Sequence, residues 1–341
     1  MVKRVAVIGA GGWGTALGIV AARAGREVRL WSRNVSVVED INEKRANSAY
    51  LKGHVIPGGV TATTEAGTAL KGAEMVVLAA PSHATRAVLE GMRGLFETGA
   101  VFVSATKGVE VETGKRISEV VAEVLGDGAA ERFACLSGPS FAQEVAAGQP
   151  TAVSVASRDE SLARLVQRAL SAQSFRVYTN PDVVGTELGG ASKNVMALAA
   201  GMIAGLGLGT NTVSALVTRG LAEMTRLALA EGGRLETLMG LAGLGDLVLT
   251  CTGGLSRNRF VGQELGRGRT LEEVLAGMHE VAEGVRTTRA VRLLAARRGV
   301  EMPITEEVHA VLYDGKSARA AVESLISRPL REEFEGKESR Q

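Results

Sequence analysis

The feature that most narrows what this chain can fold into is its opening. Arg4-Val-Ala-Val-Ile8 is an apolar run of strand length, Gly9-Ala-Gly11-Gly12-Trp13-Gly14 follows, and a small-residue helix is expected over 15–24. A G-x-G-x-x-G spacing between a buried strand and a helix serves a tight turn, close backbone approach to a pyrophosphate, and tight helix–strand packing. The helix start also offers unpaired N–H groups to phosphate oxygens. Gly9, Gly11, Gly12 and Gly14 are therefore candidate cofactor-binding residues. The next strand, Glu27-Val-Arg-Leu-Trp31, runs into Ser32-Arg33-Asn34. No acid stands where a ribose 2′-hydroxyl is often held. Arg33 can instead pair with a 2′-phosphate, so NADP(H) should be accepted; the alternative is a solvated surface arginine.

Further apolar strands are expected over 75–78, 101–104, 133–136 and 151–154, with helices over 85–96 and 114–125. That alternation predicts an α/β, Rossmann-like, doubly wound and mostly parallel sheet. Ligands on such sheets sit beyond the carboxyl ends of the strands, and three short motifs lie there. Ala80-Pro-Ser-His83 offers a histidine that either touches ligand or stabilises its own loop. Ala105-Thr-Lys107-Gly108 places a cation over the crevice. Ser137-Gly138-Pro-Ser140-Phe-Ala142 opens a helix, with Ser140 reading as its N-cap.

From about Asn180 the strand signals stop. Asn180 reads as a cap and Pro181 as a first-turn proline, and helices are expected over 182–203, 214–230, 270–276, 286–298, 304–312 and 317–325. The prediction is an all-α C-terminal domain in which long Ala/Leu/Val/Gly helices bury much of their surface, with a homodimer expected. The expected division is 1–180 for a dinucleotide-binding domain, 181–331 for a helical catalytic domain, and 332–341 for a polar tail. Gly205-Leu-Gly-Leu-Gly209 reads as a helix break.

The first of these helices contains Leu188-Gly-Gly-Ala-Ser-Lys193-Asn194. Gly189 and Gly190 stand one turn before Lys193 on the same face. A long helical side chain leans back over that turn, so the amine would lie above bare backbone. Two interior glycines cost a helix on the order of 1 kcal/mol each relative to alanine. Either another helix packs closely there, or something flat must approach the backbone beside a working lysine. Downstream, Gly243-Leu-Gly-Asp246-Leu puts one carboxylate in an apolar run, where an unpaired charge is costly. Asp246 therefore needs a cation, and Lys193 is a candidate. Thr250 through Arg259 gathers hydroxyls, an amide and guanidinium groups suited to a phosphate ester; the alternative is a solvated basic loop. Glu283 beside Gly284 faces either cofactor or solvent.

Composition sets the outer limits. The 341 residues suffice for two well-buried domains, and a net charge of +2 argues against a broad nucleic-acid surface. Cys135 and Cys251 lack CxxC or Cys/His spacing and read as reduced apolar residues, with no metal site expected. The apolar run at 5–8 is too short for a signal-peptide core. No stretch has the roughly 20 apolar residues of a membrane span. A cytoplasmic enzyme or binding protein is expected.

Taken together, GAGGWGTAL at the start, ATKG at 105–108, SGPSFAQE at 137–144, GGASKN at 189–194, GLGDLVLTCT at 243–252 and SRNR at 256–259 resemble the bacterial NAD(P)-dependent glycerol-3-phosphate dehydrogenases. The motifs span nearly the whole chain in that family's order. The resemblance implies interconversion of sn-glycerol 3-phosphate and dihydroxyacetone phosphate, feeding phospholipid synthesis, with NADP(H) and/or NAD(H) as cofactor. It implies that Lys193 is the catalytic lysine. Lys107, Gly138, Ser140, Asp246, Ser256, Arg257 and Asn258 match substrate positions, and Asn194 and Thr250 belong to the same constellation. Trp13, Arg33, Lys107, Ala142, Arg257, Val281 and Glu283 match cofactor positions. On that reading the nicotinamide ring would account for Gly189 and Gly190. Two rivals are a related two-domain NAD(P)-dependent hydroxy-acid dehydrogenase and a non-enzymatic dinucleotide-sensing regulator.

Overall fold

The structure is a computed structural model and covers residues 2–278, 282–330 and 332–333. Its first half is one sheet of eight strands: β1 (Arg4–Ile8), β2 (Glu27–Trp31), β3 (Val60–Thr63), β4 (Met75–Leu78), β5 (Val101–Ser104), β6 (Phe133–Ser137), β7 (Thr151–Ala156) and β8 (Phe175–Asn180). Their order is β3-β2-β1-β4-β5-β6-β7-β8. Neighbours pair parallel from β3 through to β6. β6 and β7 pair antiparallel, and β7 and β8 pair parallel, so the last two strands run against the other six. Val5, Ala6, Val7 and Ile8 of β1 are fully buried, as are Met75, Val76 and Val77 of β4. Such strands, covered on both faces, read as continuous apolar runs.

Around the sheet lie α1 (Gly12–Arg23), α2 (Val35–Lys44), α3 (Ala66–Leu70), α4 (Ser82–Gly91), α5 (Ile117–Leu125), α6 (Asp127–Glu131), α7 (Ala142–Ala146) and α8 (Glu160–Leu170). The rest is helical: α9 (Val183–Gly205), α10 (Thr210–Ala230), α11 (Leu235–Met239), a turn of π-helix over Leu241–Gly245, α12 (Asp246–Thr252), α13 (Arg257–Gly266), α14 (Leu271–Ala276), α15 (Glu283–Arg298), α16 (Pro303–Tyr313) and α17 (Ala318–Ile326). This is the expected α/β Rossmann-like sheet followed by an all-α half. Among the described residues no helix is long and apolar enough to cross a membrane.

Two strands were absent from the sequence reading. β3 and β8 alternate buried and exposed positions and carry polar residues such as Thr61, Arg176 and Tyr178 outward. They form the two edges of the sheet, where one face of polar side chains is tolerated and no continuous apolar run is needed.

The second half is organised around α9, apolar on all sides and buried over most of its length, as expected of a central helix. Its start differs from the sequence reading. Asn180 ends β8, Pro181 precedes the helix, and Asp182 is the N-cap, its Oδ1 accepting from Gly185 N at 2.8 Å. Glycines bring α13 to backbone contact with α9. A Cβ at Gly201 would overlap the carbonyl oxygen of Arg259, and one at Gly262 would overlap that of Leu198. Gly205-Leu-Gly-Leu-Gly209 forms the break between α9 and α10, with Gly207 at φ +73°.

Candidate active site

The glycine turn after β1 has the geometry its spacing demands. Gly9 takes φ +113°, and a side chain there would press on the Ala79 carbonyl at 2.9 Å. Gly11 caps α1 without any side-chain hydrogen bond, and a Cβ on it would meet nothing within 4 Å. α1 thus begins on bare backbone with room beside Gly11, a cradle suited to a pyrophosphate. Gly12 cannot carry a side chain because Tyr50 O lies 2.8 Å from where its Cβ would be, and the Ala142 methyl stands 3.8 Å from that point. Gly14 packs on the Gly9 carbonyl. Trp13 donates from Nε1 to Ala105 O at 3.2 Å, tying the turn to the end of β5. Arg33 is exposed just beyond the end of β2. These residues fit a dinucleotide.

Across the cleft, α9 presents Lys193. The side chain is buried, and Nζ donates to Asp246 Oδ1 and to Thr250 Oγ1, the latter at 2.9 Å. The Thr250 hydroxyl in turn donates a hydrogen bond to the Asp246 carbonyl at 2.6 Å. The other carboxylate oxygen of Asp246 accepts from Lys107 Nζ at 2.8 Å. Lys107 comes from the loop after β5 and also donates to Gly138 O at 2.8 Å and Ser140 Oγ at 3.2 Å. Its ammonium lies 5.7 Å from the Trp13 ring centroid, within cation–π range. One fully buried carboxylate therefore joins two lysines from opposite halves of the chain. Burial pulls the Lys193 pKa down, Asp246 opposes that and Lys107 adds to it, leaving a value of about 8. Burial alone would raise Asp246, but the two ammonium groups outweigh it and hold the carboxyl below its ordinary range.

Two asparagines extend the junction. Asn194 Nδ2 donates to Lys107 O at 2.9 Å, Asn258 Nδ2 donates to Asn194 Oδ1 at 3.0 Å, and Gly284 N donates to Asn258 Oδ1 at 3.0 Å. Ser256 caps α13, its Oγ accepting from Arg259 N at 3.2 Å. Arg257 opens that helix at the surface. Glu283 opens α15, accepts from Ser82 N at 3.1 Å, and lies within electrostatic reach of Arg257, Lys193 and Lys107. His83 follows Ser82, with Arg286 and Arg33 near enough to hold its pKa down after burial. Val281 lies outside the described residues.

One expectation changes, one open choice is narrowed and one pairing was missed. Ser140 is not a helix cap: α7 starts at Ala142 after Phe141, and the Ser140 hydroxyl donates to Gly138 O while receiving Lys107. The cause is Gly138, whose φ of +139° folds the loop back and turns its carbonyl toward the lysine. Gly189 and Gly190 are explained by packing. A Cβ at Gly189 would stand 2.7 Å from Ala242 O, and one at Gly190 2.8 Å from Ser137 Oγ. Lys107 as a second partner for Asp246 was also missed, because the two stand 139 positions apart in the chain.

Comparison with known proteins bears on both halves. Residues 4–163 match the family model described as the NAD-dependent glycerol-3-phosphate dehydrogenase N-terminus, and residues 182–323 the corresponding C-terminus. A glycerol-3-phosphate dehydrogenase [NAD(P)+] of Koribacter versatilis is 56% identical over 96% of this chain and 98% of its own length. The like-named protein of Geobacter sulfurreducens is 51% identical over 98% of this chain and 99% of its own. The crystal structure of the glycerol-3-phosphate dehydrogenase of Coxiella burnetii superposes with a TM-score of 0.91 at 41% identity, covering 96% of this chain and 99% of that one.

Proposed function

This chain belongs to the NAD-dependent glycerol-3-phosphate dehydrogenase family, and from that premise we propose how its cleft works. The enzyme is an NAD(P)-dependent oxidoreductase interconverting sn-glycerol 3-phosphate and dihydroxyacetone phosphate. When bound, the nicotinamide supplies hydride to the central carbon in reduction and takes it back in oxidation. The chain's own residues manage the proton and the geometry. In reduction Lys193 Nζ gives a proton to the oxygen on that carbon; in oxidation the neutral amine removes it. Asp246 and Thr250 hold the amine in place, and Lys107 adds positive charge near the forming alkoxide. Gly138 and Ser140 line the same side. Ser256, Arg257 and Asn258 hold the phosphate, with Asn194 linking them to Lys107; the asparagine chain supports that grouping. Such positioning can contribute several kcal/mol.

The glycine turn with Trp13, Ala142, Val281 and Glu283 holds the cofactor, and Arg33 favours a 2′-phosphate. The working division is 1–180 for the cofactor, 181–331 for catalysis and 332–341 as a tail, most of which lies outside the described residues. The exposed apolar side chains Leu235, Met239, Val248, Leu255 and Phe260 support a homodimer. The two buried, unpaired cysteines support a cytoplasmic setting, and supply of the phospholipid backbone is the proposed role.

The observation that carries the mechanism is the buried Lys193 amine, poised near neutrality on Asp246 beside the dinucleotide cradle. Mixing purified protein with NADPH and dihydroxyacetone phosphate should oxidise the NADPH. Lys193→Ala should lower kcat by roughly 10²-fold or more while NADPH still binds by fluorescence titration. Substantial residual turnover refutes the role.

A further inference from the structure

Glu187 lies on α9 six residues before Lys193, about 9 Å along the axis and about a third of a turn around it. It is 4% exposed, and no proton-transfer role described above uses it. A carboxylate buried that deeply is costly unless fully paired. Its partners all come from the other half of the molecule. Oε1 accepts from Ser118 N at 2.8 Å, and Oε2 accepts from Ser118 Oγ at 2.6 Å and from Arg116 Nη1 at 3.4 Å. Ser118 is the second residue of α5, where backbone N–H groups have no partner within the helix. Glu187 thus closes the first turn of α5 from across the seam.

The neighbouring glycines show why such a pin is needed. Gly189 and Gly190 let α9 approach Ala242 and Ser137 closely, but a surface without side chains sets distance, not rotation or height. Directional hydrogen bonds set both. We propose that Glu187 is a positioning residue for the reaction: by capping α5 it fixes the rotation and axial height of α9, and so the point at which Lys193 Nζ meets Asp246. The inference rests on Lys193 being the acid–base group. A displacement of 1 Å at a reacting centre can cost 10²-fold in rate.

The test uses steady-state kinetics of the full chain with dihydroxyacetone phosphate and NADPH. Glu187→Gln keeps the shape and removes the charge. It should lower kcat about tenfold and leave the NADPH dissociation constant within about twofold. It should also move the pH midpoint of reduction downward, because Asp246 no longer holds the Lys193 proton as firmly. Ser118→Ala should do the same to a smaller extent, and Ser118→Thr, which restores the hydroxyl, should recover the wild-type midpoint. Unchanged kcat and midpoint in Glu187→Gln overturn the proposal, as does a loss confined to thermal stability. If Glu187→Gln does not fold, the serine pair decides by the same readings. Inactivity of Lys193→Ala together with a normal Glu187→Gln discards only this inference; activity in Lys193→Ala discards the reading beneath it.

Discussion

Asp246 has no oxygen left over: Lys193 takes one and Lys107 the other. A carboxylate shared in this way keeps the Lys193 amine from being either a permanent cation or a permanently neutral base. Its pKa of about 8, lowered chiefly by burial, fixes the direction of the pH response. A proton donor must be charged, so kcat/KM for ketone reduction should be full below that value and fall as pH rises through about 8. A proton acceptor must be neutral, so alcohol oxidation should rise through the same value. Profiles measured in both directions should mirror each other; two profiles moving together would contradict the assignment. Part of this was legible in the residues. A carboxylate inside an apolar run calls for a cation, and Lys193 was the natural partner. The second cation was not legible, since nothing local to Gly243–Leu247 points to a loop after β5. Ser140 was misread for a related reason: a hydroxyl just ahead of a helix looks like a cap unless the backbone turn at Gly138 is known.

Helices in this protein meet at distances that side chains would forbid. Along the α9–α13 contact, a methyl on Gly201 would overlap Arg259 O and stand 2.7 Å from Gln263 N. Overpacking of that kind typically costs about 1–3 kcal/mol, so Gly201→Ala should lower Tm by several degrees in a thermal melt. Gly67, in α3, has open space where its Cβ would be, and Gly67→Ala should leave Tm unchanged or raise it slightly. An unchanged Tm in Gly201→Ala would mean the helices separate more easily than their backbones imply. The long helices were visible as apolar stretches, and some starts were read to within a residue, α9 at 182 and α16 at 304; others were not. Local signals begin α4 at 85, α5 at 114 and α15 at 286, whereas they begin at Ser82, Ile117 and Glu283. Carboxylates far away in sequence hold two of these first turns, Ser82 N by Glu283 and Ser118 N by Glu187. Glu223 does likewise for Ile304 and Thr305 at the start of α16. A cap supplied from another helix leaves no local trace.

At the scale of the molecule, the glycine cradle belongs to the sheet and the Lys193 amine to the helices, joined by a polar seam. Lys107–Asp246, Ser118–Glu187 and Ser82–Glu283 all cross it. Melting should therefore be a single transition. NADPH at a hundredfold its dissociation constant should stabilise the whole by about 2.7 kcal/mol, moving that one transition upward in calorimetry. Two transitions, of which only one responds to NADPH, would show the halves to be uncoupled.

The reversed pair β7 and β8 has a consequence for where chemistry can occur. Because β8 descends against the main six strands, the chain reaches Asn180 at the edge of the sheet where those strands begin. From there α9 climbs alongside β6, with Val183 in the same apolar cluster as Phe133 and Cys135, and Gly190 beside Ser137. Ten residues of helix lift by about 15 Å, enough to bring Lys193 out at the rim where the dinucleotide turn opens. A β8 running upward with the others would have launched the helix from that rim and carried its amine off into solvent. Two strands of contrary heading act as the staircase that delivers the Lys193 amine to that floor.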